Sequence, residues 1–261
     1  MARDLTETAT APGGEPAGPW RDPVRWLFAP WMLLVFFPVV LLTTTLWGLL
    51  AVTVSLASQR VGFYCGTIWA WCLCWASFVR VRVTGREHAP RGTSHVFLVN
   101  HQGDYDILAL YGFLGRQFRW VMKQELRKVP FLGWGCAAIG HIFVDRSNPR
   151  AAIASLDAAK PRLAGGISVL FFPEGTRSLD GRLLPFKKGG FQMARQLELP
   201  IVPVAISGSA RILPKGCIFP RPGTIEIRIL EPIPATEARD LEHAMATTRE
   251  RIVAGLAASG R

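Results

Sequence analysis

The sequence predicts an α/β protein. Its largely parallel central sheet is flanked by helices and preceded by an N-terminal two-helix hydrophobic membrane hairpin. Two observations carry this. Charged residues are absent from Leu27 to Ser58 and again from Val61 to Val79, with only Gln59 and Arg60 between the runs. After residue 80 short β-rich runs alternate with stretches of helical periodicity, the signature of strands joined by crossover helices.

Each element follows in order. Residues 1–23 are rich in Ala, Thr, Gly, Pro and charge and read as a disordered tail; the first apolar run begins too late for a secretory signal. A bilayer core needs about 20 apolar residues per helix, so residues 24–79 read as an anchoring hairpin. Its first helix is expected to begin near Pro38, since proline suits a first helical turn. Arg21 and Arg25 before the hairpin, and Arg80, Arg82, Arg86 and Arg91 after it, favour both ends on the cytoplasmic side. The pair either crosses and returns or dips into one leaflet. In residues 80–261, Val96–Val99, Phe118–Met122, His141–Asp145, Ser168–Phe172, Ile201–Ile206 and Thr224–Leu230 read as strands. Ile107–Phe113, Arg150–Leu163, Lys188–Leu197 and a last segment, 236–256 with Thr236 as N-cap, read as helices.

Composition narrows the function. The formal charge of +11 calls for an anionic partner: a membrane surface, a phosphorylated or CoA-like ligand, or nucleic acid. The chain shows no zinc-finger spacing, RNA-binding signature or long run of like charge, which argues against nucleic acid. Cys65, Cys72, Cys74, Cys136 and Cys217 form no CxxC and sit near no histidine in the pattern of a metal site, so neither a metal nor a disulfide framework is expected.

The chemistry concentrates where strands end. In Asn100-His101-Gln102-Gly103-Asp104-Tyr105-Asp106 a histidine leaves a buried strand, and a carboxylate follows where a helix begins. A strand-to-helix turn folds Asp106 onto the imidazole, fixing its tautomer and raising its basicity. Phe171-Phe172-Pro173-Glu174-Gly175-Thr176-Arg177-Ser178 leaves another strand: Gly175 permits a tight turn, Arg177 offers a planar fork to phosphate, and Thr176 a hydroxyl. Alone, that segment reads equally as a surface turn with a Glu174–Arg177 salt bridge. Val144-Asp145-Arg146 puts a further arginine at a strand end. Together these groups line the carboxyl edge of the sheet, where open α/β sheets bind ligands.

These motifs, in this order, resemble the lysophosphatidic acid acyltransferase family (1-acylglycerol-3-phosphate O-acyltransferases) and the wider glycerolipid acyltransferase superfamily. Asn100–Asp106 looks like the family's NHxxxxD block, and Phe172–Ser178 matches its FPEGTRS block without a gap. Val144–Arg146, Val202-Pro203-Val204 and Leu184–Gly189 resemble further blocks, so the resemblance covers roughly residues 80–235. Gly103 stands where many members carry serine. The resemblance implies a fatty acyl transfer from acyl-CoA or acyl carrier protein to the sn-2 hydroxyl of 1-acyl-sn-glycerol-3-phosphate, with no cofactor. His101 is the implied general base and Asp106 its partner. Glu174, Gly175, Thr176 and Arg177 hold the acceptor's phosphate side, with Arg146 and Lys123 as further candidates. The implied setting is the inner (cytoplasmic) membrane, with the catalytic domain facing the cytoplasm. Glycerol-3-phosphate or a lyso-aminolipid is the alternative acceptor. A serine hydrolase would need a G-x-S-x-G elbow, which the chain lacks. A non-enzymatic, basic phospholipid-binding protein accounts for the charge and the hairpin but not for a base–carboxylate pair beside phosphate-binding groups.

Overall fold

A computed structural model describes residues 22–145, 147–163, 165–178, 182–214 and 216–259. The expected tail therefore lies almost wholly outside the described residues. Its last two positions belong to the first helix instead: Asp22 caps it, accepting from Val24 N at 3.1 Å, and Pro23 opens it.

The first apolar run is one continuous helix rather than one starting at Pro38. It comprises α1 (Pro23–Trp31), a π-helical stretch (Met32–Phe36) and α2 (Phe37–Ala57). Pro38 has no N–H to give to the preceding turn, and the wider π-helical turns before it, with Phe37 N bonded to Met32 O, absorb that break without ending the helix. These 35 residues, few of them buried, are the one helix among the described residues long and apolar enough to cross a membrane. At 1.5 Å per residue the helix is about 52 Å long, well beyond a hydrocarbon core of about 30 Å.

The second run behaves differently. After a turn at Ser58, whose hydroxyl accepts from Val61 N, α3 (Gln59–Ala76) buries one side against the domain. Phe63 stacks on Tyr111 at 4.8 Å, Trp71 Nε1 donates to Gly112 O at 2.7 Å, and Phe63, Ala70, Leu73, Cys74 and Ala76 are buried. Close approach explains the small residues on this side: a β-carbon at Gly66 would collide with the Tyr111 ring. So α3 is half core and half surface, not a second free span. Arg25 is also not a free basic flank. It is buried and donates to the carbonyls of Ile212 and Arg211, both at 3.2 Å, and of Phe219, while Arg221 holds Asp22 at 2.6 Å.

The sheet has seven strands in the order β1-β7-β6-β2-β5-β3-β4. They are β1 (Val79–Thr84), β2 (Val96–Val99), β3 (Phe118–Lys123), β4 (Ile142–Val144), β5 (Ser168–Phe171), β6 (Ile201–Ser207) and β7 (Gly223–Ile229). β6, β2, β5, β3 and β4 run parallel, and β7 turns antiparallel to β6 with β1 parallel to β7. The six expected strands are all present. β1 was not expected: its Val-Arg alternation reads as a basic flank after an apolar run, and the segment boundary at 79/80 falls inside it. On one face lie α2, α3, α4 (Tyr105–Phe113) and α5 (Leu132–Ile139), a short glycine-containing helix that periodicity does not reveal. On the other lie α6 (Pro149–Ala159), α7 (Gly189–Leu197) and α9 (Leu241–Ala258), while α8 (Ser209–Ile212) is a single turn after β6. Pro161 ends the regular helix after α6, and Lys160–Arg162 is a 3-10 turn. The last helix is capped by Asp240, which accepts from Glu242 N and His243 N, rather than by Thr236, which precedes a separate 3-10 turn.

One buried histidine makes stability depend on pH. His141, opening β4, is 3% exposed. Its Nδ1 accepts from Trp120 N at 3.2 Å, so the proton sits on Nε2, which donates to Tyr111 Oη at 2.9 Å. Burial, and then the neighbouring Arg119 charge, push its pKa down to about 3. The unfolded chain protonates this ring near pH 6.5 and the folded chain does not, so its contribution is complete above about pH 6.5 and lost as pH falls toward 3. Unfolding free energies from denaturant titrations at pH 6.5 and pH 5 should differ by about 2 kcal/mol through this group, and His141→Gln should remove that part of the slope.

Candidate active site

Three chain segments meet at the carboxyl edge of the parallel strands. β2 ends at Val99, and the Asn100 side chain then acts like a further strand residue. Its Nδ2 donates to Ile206 O at 2.9 Å, and its Oδ1 accepts from Ile206 N at 2.8 Å, which ties the loop to β6. The loop's direction fixed, His101 and Asp106 face each other across the start of α4. Asp106 Oδ2 accepts from His101 Nδ1 at 2.8 Å, from Gln102 N at 2.7 Å and from Gly103 N at 2.9 Å. The carboxylate is fully buried, while the imidazole keeps 13% of its side-chain surface. A carboxylate only accepts hydrogen bonds, so Nδ1 carries the proton and the lone pair lies on Nε2. The ring lies flat on Phe172, with centroids 3.9 Å apart and planes 11° apart, and Phe172 in turn stacks on Trp120 at 5.4 Å.

The second segment leaves β5. Glu174, expected beside the acceptor's phosphate, points inward instead and is 3% exposed. Its Oε1 accepts from His101 N at 2.7 Å and its Oε2 from Leu184 N at 2.8 Å, while Ser178 N donates back to His101 O at 3.0 Å. Burial raises its pKa, opposed by those two amides and by His101. A buried carboxylate saturated by backbone amides suits clamping better than contact with an anion: it joins the His101 loop to the turn after β5 and to the segment beyond it.

The surface of this turn supplies the groups an anion would meet. Gly175 adopts φ +72°, and a β-carbon there would lie 2.9 Å from Lys187 Nζ. Thr176 is exposed, and Arg177, about a quarter exposed, pairs with Asp104 at 2.5 Å rather than with Glu174. Arg177 therefore links the second segment to the first. Lys187 is the site residue that reading the motifs one by one misses; its signal is the Lys-Lys-Gly run that leads into α7. Lys123, at the end of β3, stands apart, more than half exposed and paired with Glu125 at 3.2 Å. Arg146 lies outside the described residues.

The third segment closes the loop from beneath. A β-carbon at Gly103 would come within 2.9 Å of the Ser209 carbonyl group and 3.1 Å of Leu213 O. Glycine at this position is thus a packing requirement of the turn against α8, not only a departure from the serine of the resemblance. The same stretch, Arg211–Ile212, receives Arg25 from α1, so the long apolar helix and the His101 loop rest on one piece of backbone.

Comparison with known proteins identifies the family. A family model described as Acyltransferase matches residues 80–207. A 1-acyl-sn-glycerol-3-phosphate acyltransferase of Limnanthes douglasii is 36% identical over 216 residues, covering 79% of this chain and 74% of the relative. One of Chlamydomonas reinhardtii is 31% identical over 216 residues, with 82% of this chain and 64% of the relative covered. The crystal structure of the 1-acyl-sn-glycerophosphate (LPA) acyltransferase PlsC from Thermotoga maritima superposes with a TM-score of 0.79 at 25% identity. That match covers 91% of this chain and 98% of the other, and so includes the helices before the sheet as well as the sheet. Sequence and fold together place the chain in the 1-acyl-sn-glycerol-3-phosphate acyltransferase family.

Proposed function

We propose that the protein transfers a fatty acyl group from acyl-CoA or acyl carrier protein to the sn-2 hydroxyl of 1-acyl-sn-glycerol-3-phosphate, forming phosphatidic acid. The observation that carries this reading is the His101–Asp106 pair with its free Nε2, standing beside Arg177 and Lys187. Nε2 takes the hydroxyl proton as the acceptor oxygen attacks the thioester carbonyl, and the buried Asp106 stabilises the imidazolium. When the tetrahedral intermediate collapses, the C–S bond breaks and the imidazolium returns its proton to the leaving thiolate. Thr176, Arg177 and Lys187 hold the acceptor's phosphate. Glu174 keeps the loops in place and makes no contact with substrate. Arg146 and Lys123 are further candidates for the same task.

The proposed setting for this chemistry is the inner (cytoplasmic) membrane with the domain facing the cytoplasm, and the long apolar helix supports the membrane part of it. Lipid acceptors then reach the site without leaving the bilayer, an extraction that costs about 0.8 kcal/mol per CH₂.

The test is a purified-protein assay crossing acyl-CoA and acyl carrier protein with lysophosphatidic acid, glycerol-3-phosphate and a lyso-aminolipid. Lysophosphatidic acid should be the fastest acceptor. Arg177→Lys should raise KM for that acceptor about tenfold with little change for the donor, because a point charge does not replace a planar fork. Faster turnover of another acceptor overturns the substrate assignment. Equal effects of Arg177→Lys on both substrates reduce Arg177 to a loop tie through Asp104.

A further inference from the structure

The opposite edge of the sheet carries a second concentration of positive charge that the transfer reaction does not use. An open cleft of about 370 Å³ lies between α3 and the loops that enter β2, β3 and β5. Arg60, Arg91 and Arg116 line it, with Tyr64 and Trp71 of α3 and the backbone of Gly165–Gly166 completing the wall. Among the described residues no carboxylate is ion-paired with any of these arginines, whereas Arg177, Arg221, Arg228, Arg239 and Arg251 each pair with an acid.

The charges are held in place by backbone rather than by acids. Arg60 Nη2 donates to Gly165 O at 2.7 Å. Arg116 donates to Ala89 O, to Gly115 O at 2.9 Å and to Arg86 O at 2.7 Å. Burial lowers the pKa of Arg116, and the neighbouring Arg91 and Arg86 lower it further, which registers the like-charge crowding. Such an arrangement is costly when empty and favourable once an anion enters.

The anion's chemistry follows from what adjoins the cleft. Val61, Tyr64, Trp71 and Trp75 recur at helical spacing along α3, and each is 48% to 82% exposed. This apolar stripe leads away from the arginines, with Tyr64 and Trp71 at the junction, as amphipathic rings stand at the headgroup level of a bilayer. A soluble phosphate would find charge there but no use for the stripe. We propose that this cleft binds the phosphate headgroup of an anionic two-chain phospholipid whose acyl chains lie along the exposed side of α3. The lipid would be seated between the anchor and the amino edge of the sheet, remote from His101.

Native mass spectrometry of the full-length protein in detergent tests this, with phosphatidylglycerol and phosphatidylcholine as probes. Phosphatidylglycerol is neither acceptor nor product of the proposed reaction, so the result is independent of the substrate assignment. One phosphatidylglycerol per chain should be retained in preference to phosphatidylcholine by about tenfold. Arg60→Gln with Arg91→Gln should abolish that preference. Arg91→Gln alone, at an exposed side chain in no ion pair among the described residues, should reduce it severalfold with the melting temperature unchanged. No preference in the natural protein, or a preference that survives both substitutions, overturns the proposal. Displacement of phosphatidylglycerol by millimolar inorganic phosphate also overturns it, since the site would then recognise a bare anion and not a lipid.

Discussion

His101→Ala should lower acyl transfer by at least about 10²–10⁴-fold, the contribution of a positioned general base, while leaving the protein folded. The fold is expected to survive because the carboxylate left behind is not orphaned: Gln102 N and Gly103 N still donate to Asp106 Oδ2. Asp106→Asn separates geometry from charge. An asparagine carbonyl oxygen in the place of Oδ2 keeps the two amide bonds and the bond from Nδ1. Its NH₂ then occupies the buried Oδ1 position, which has no partner. The loop should therefore persist, and turnover should fall because no anion balances the imidazolium, with acceptor KM little changed. Rates for both variants, measured on protein whose melting curves match the parent, check this. Near-normal turnover of His101→Ala would remove the base from the mechanism.

Removing the chain before Arg80 should do more than weaken any hold on a membrane. Treating residues 80–261 as a self-contained catalytic unit implies that a chain beginning at Arg80 keeps some activity on a short-chain acceptor in detergent. The packing of α3 predicts otherwise. Such a chain loses Phe63, Leu73, Cys74 and Ala76 from the core and uncovers Tyr111 and Phe118, against which Phe63 packs at 4.8 Å and 5.2 Å. Each large buried side chain contributes about 1.5–3 kcal/mol, against a net stability of about 5–15 kcal/mol for a whole domain. The shortened chain should show no cooperative melt and no activity on any acceptor. A chain beginning at Ser58 retains α3 and should melt cooperatively in detergent, with some activity on a short-chain acceptor. Comparable melting of the two would show that α3 is dispensable to the core.

The contrast between α2 and α3 also shows what the sequence made legible. The runs they come from, Leu27–Ser58 and Val61–Val79, both lack charge, so the absence of charge alone ranks them together. The difference lies in residue size: α2 turns leucines outward, whereas the inner side of α3 carries Gly62, Gly66, Cys65 and Thr67, which let helices approach closely. The contact between His101 and Asp106 was readable because its logic is local, with five residues bridging a strand end and a helix start. Glu174 was not, because a carboxylate in a phosphate-binding motif looks the same whether it faces substrate or the amides of His101 and Leu184; only the tertiary partners decide. Lys187 was missed for a related reason, since its neighbour Gly175 is distant in sequence and near only in space. β1 was hidden by position, its alternation overshadowed by the apolar run it follows.

The placement of that strand bears on how the protein is made. β1 leaves the ribosome before every other strand, yet its one partner in the sheet, β7, is almost the last element synthesised. Until then its hydrogen-bonding edges have no strand to meet, and the helix just before it, α3, waits with its inner side uncovered until α4 emerges. An unfinished chain thus exposes apolar and strand-edge surface together, the combination that drives misassembly. In the membrane setting proposed above, a bilayer that takes up α1 and α2 during translation is the nearest shelter for that surface. In that setting the apolar helix would act first as a cradle for an incomplete nascent chain, and only afterwards as the mooring of the finished protein.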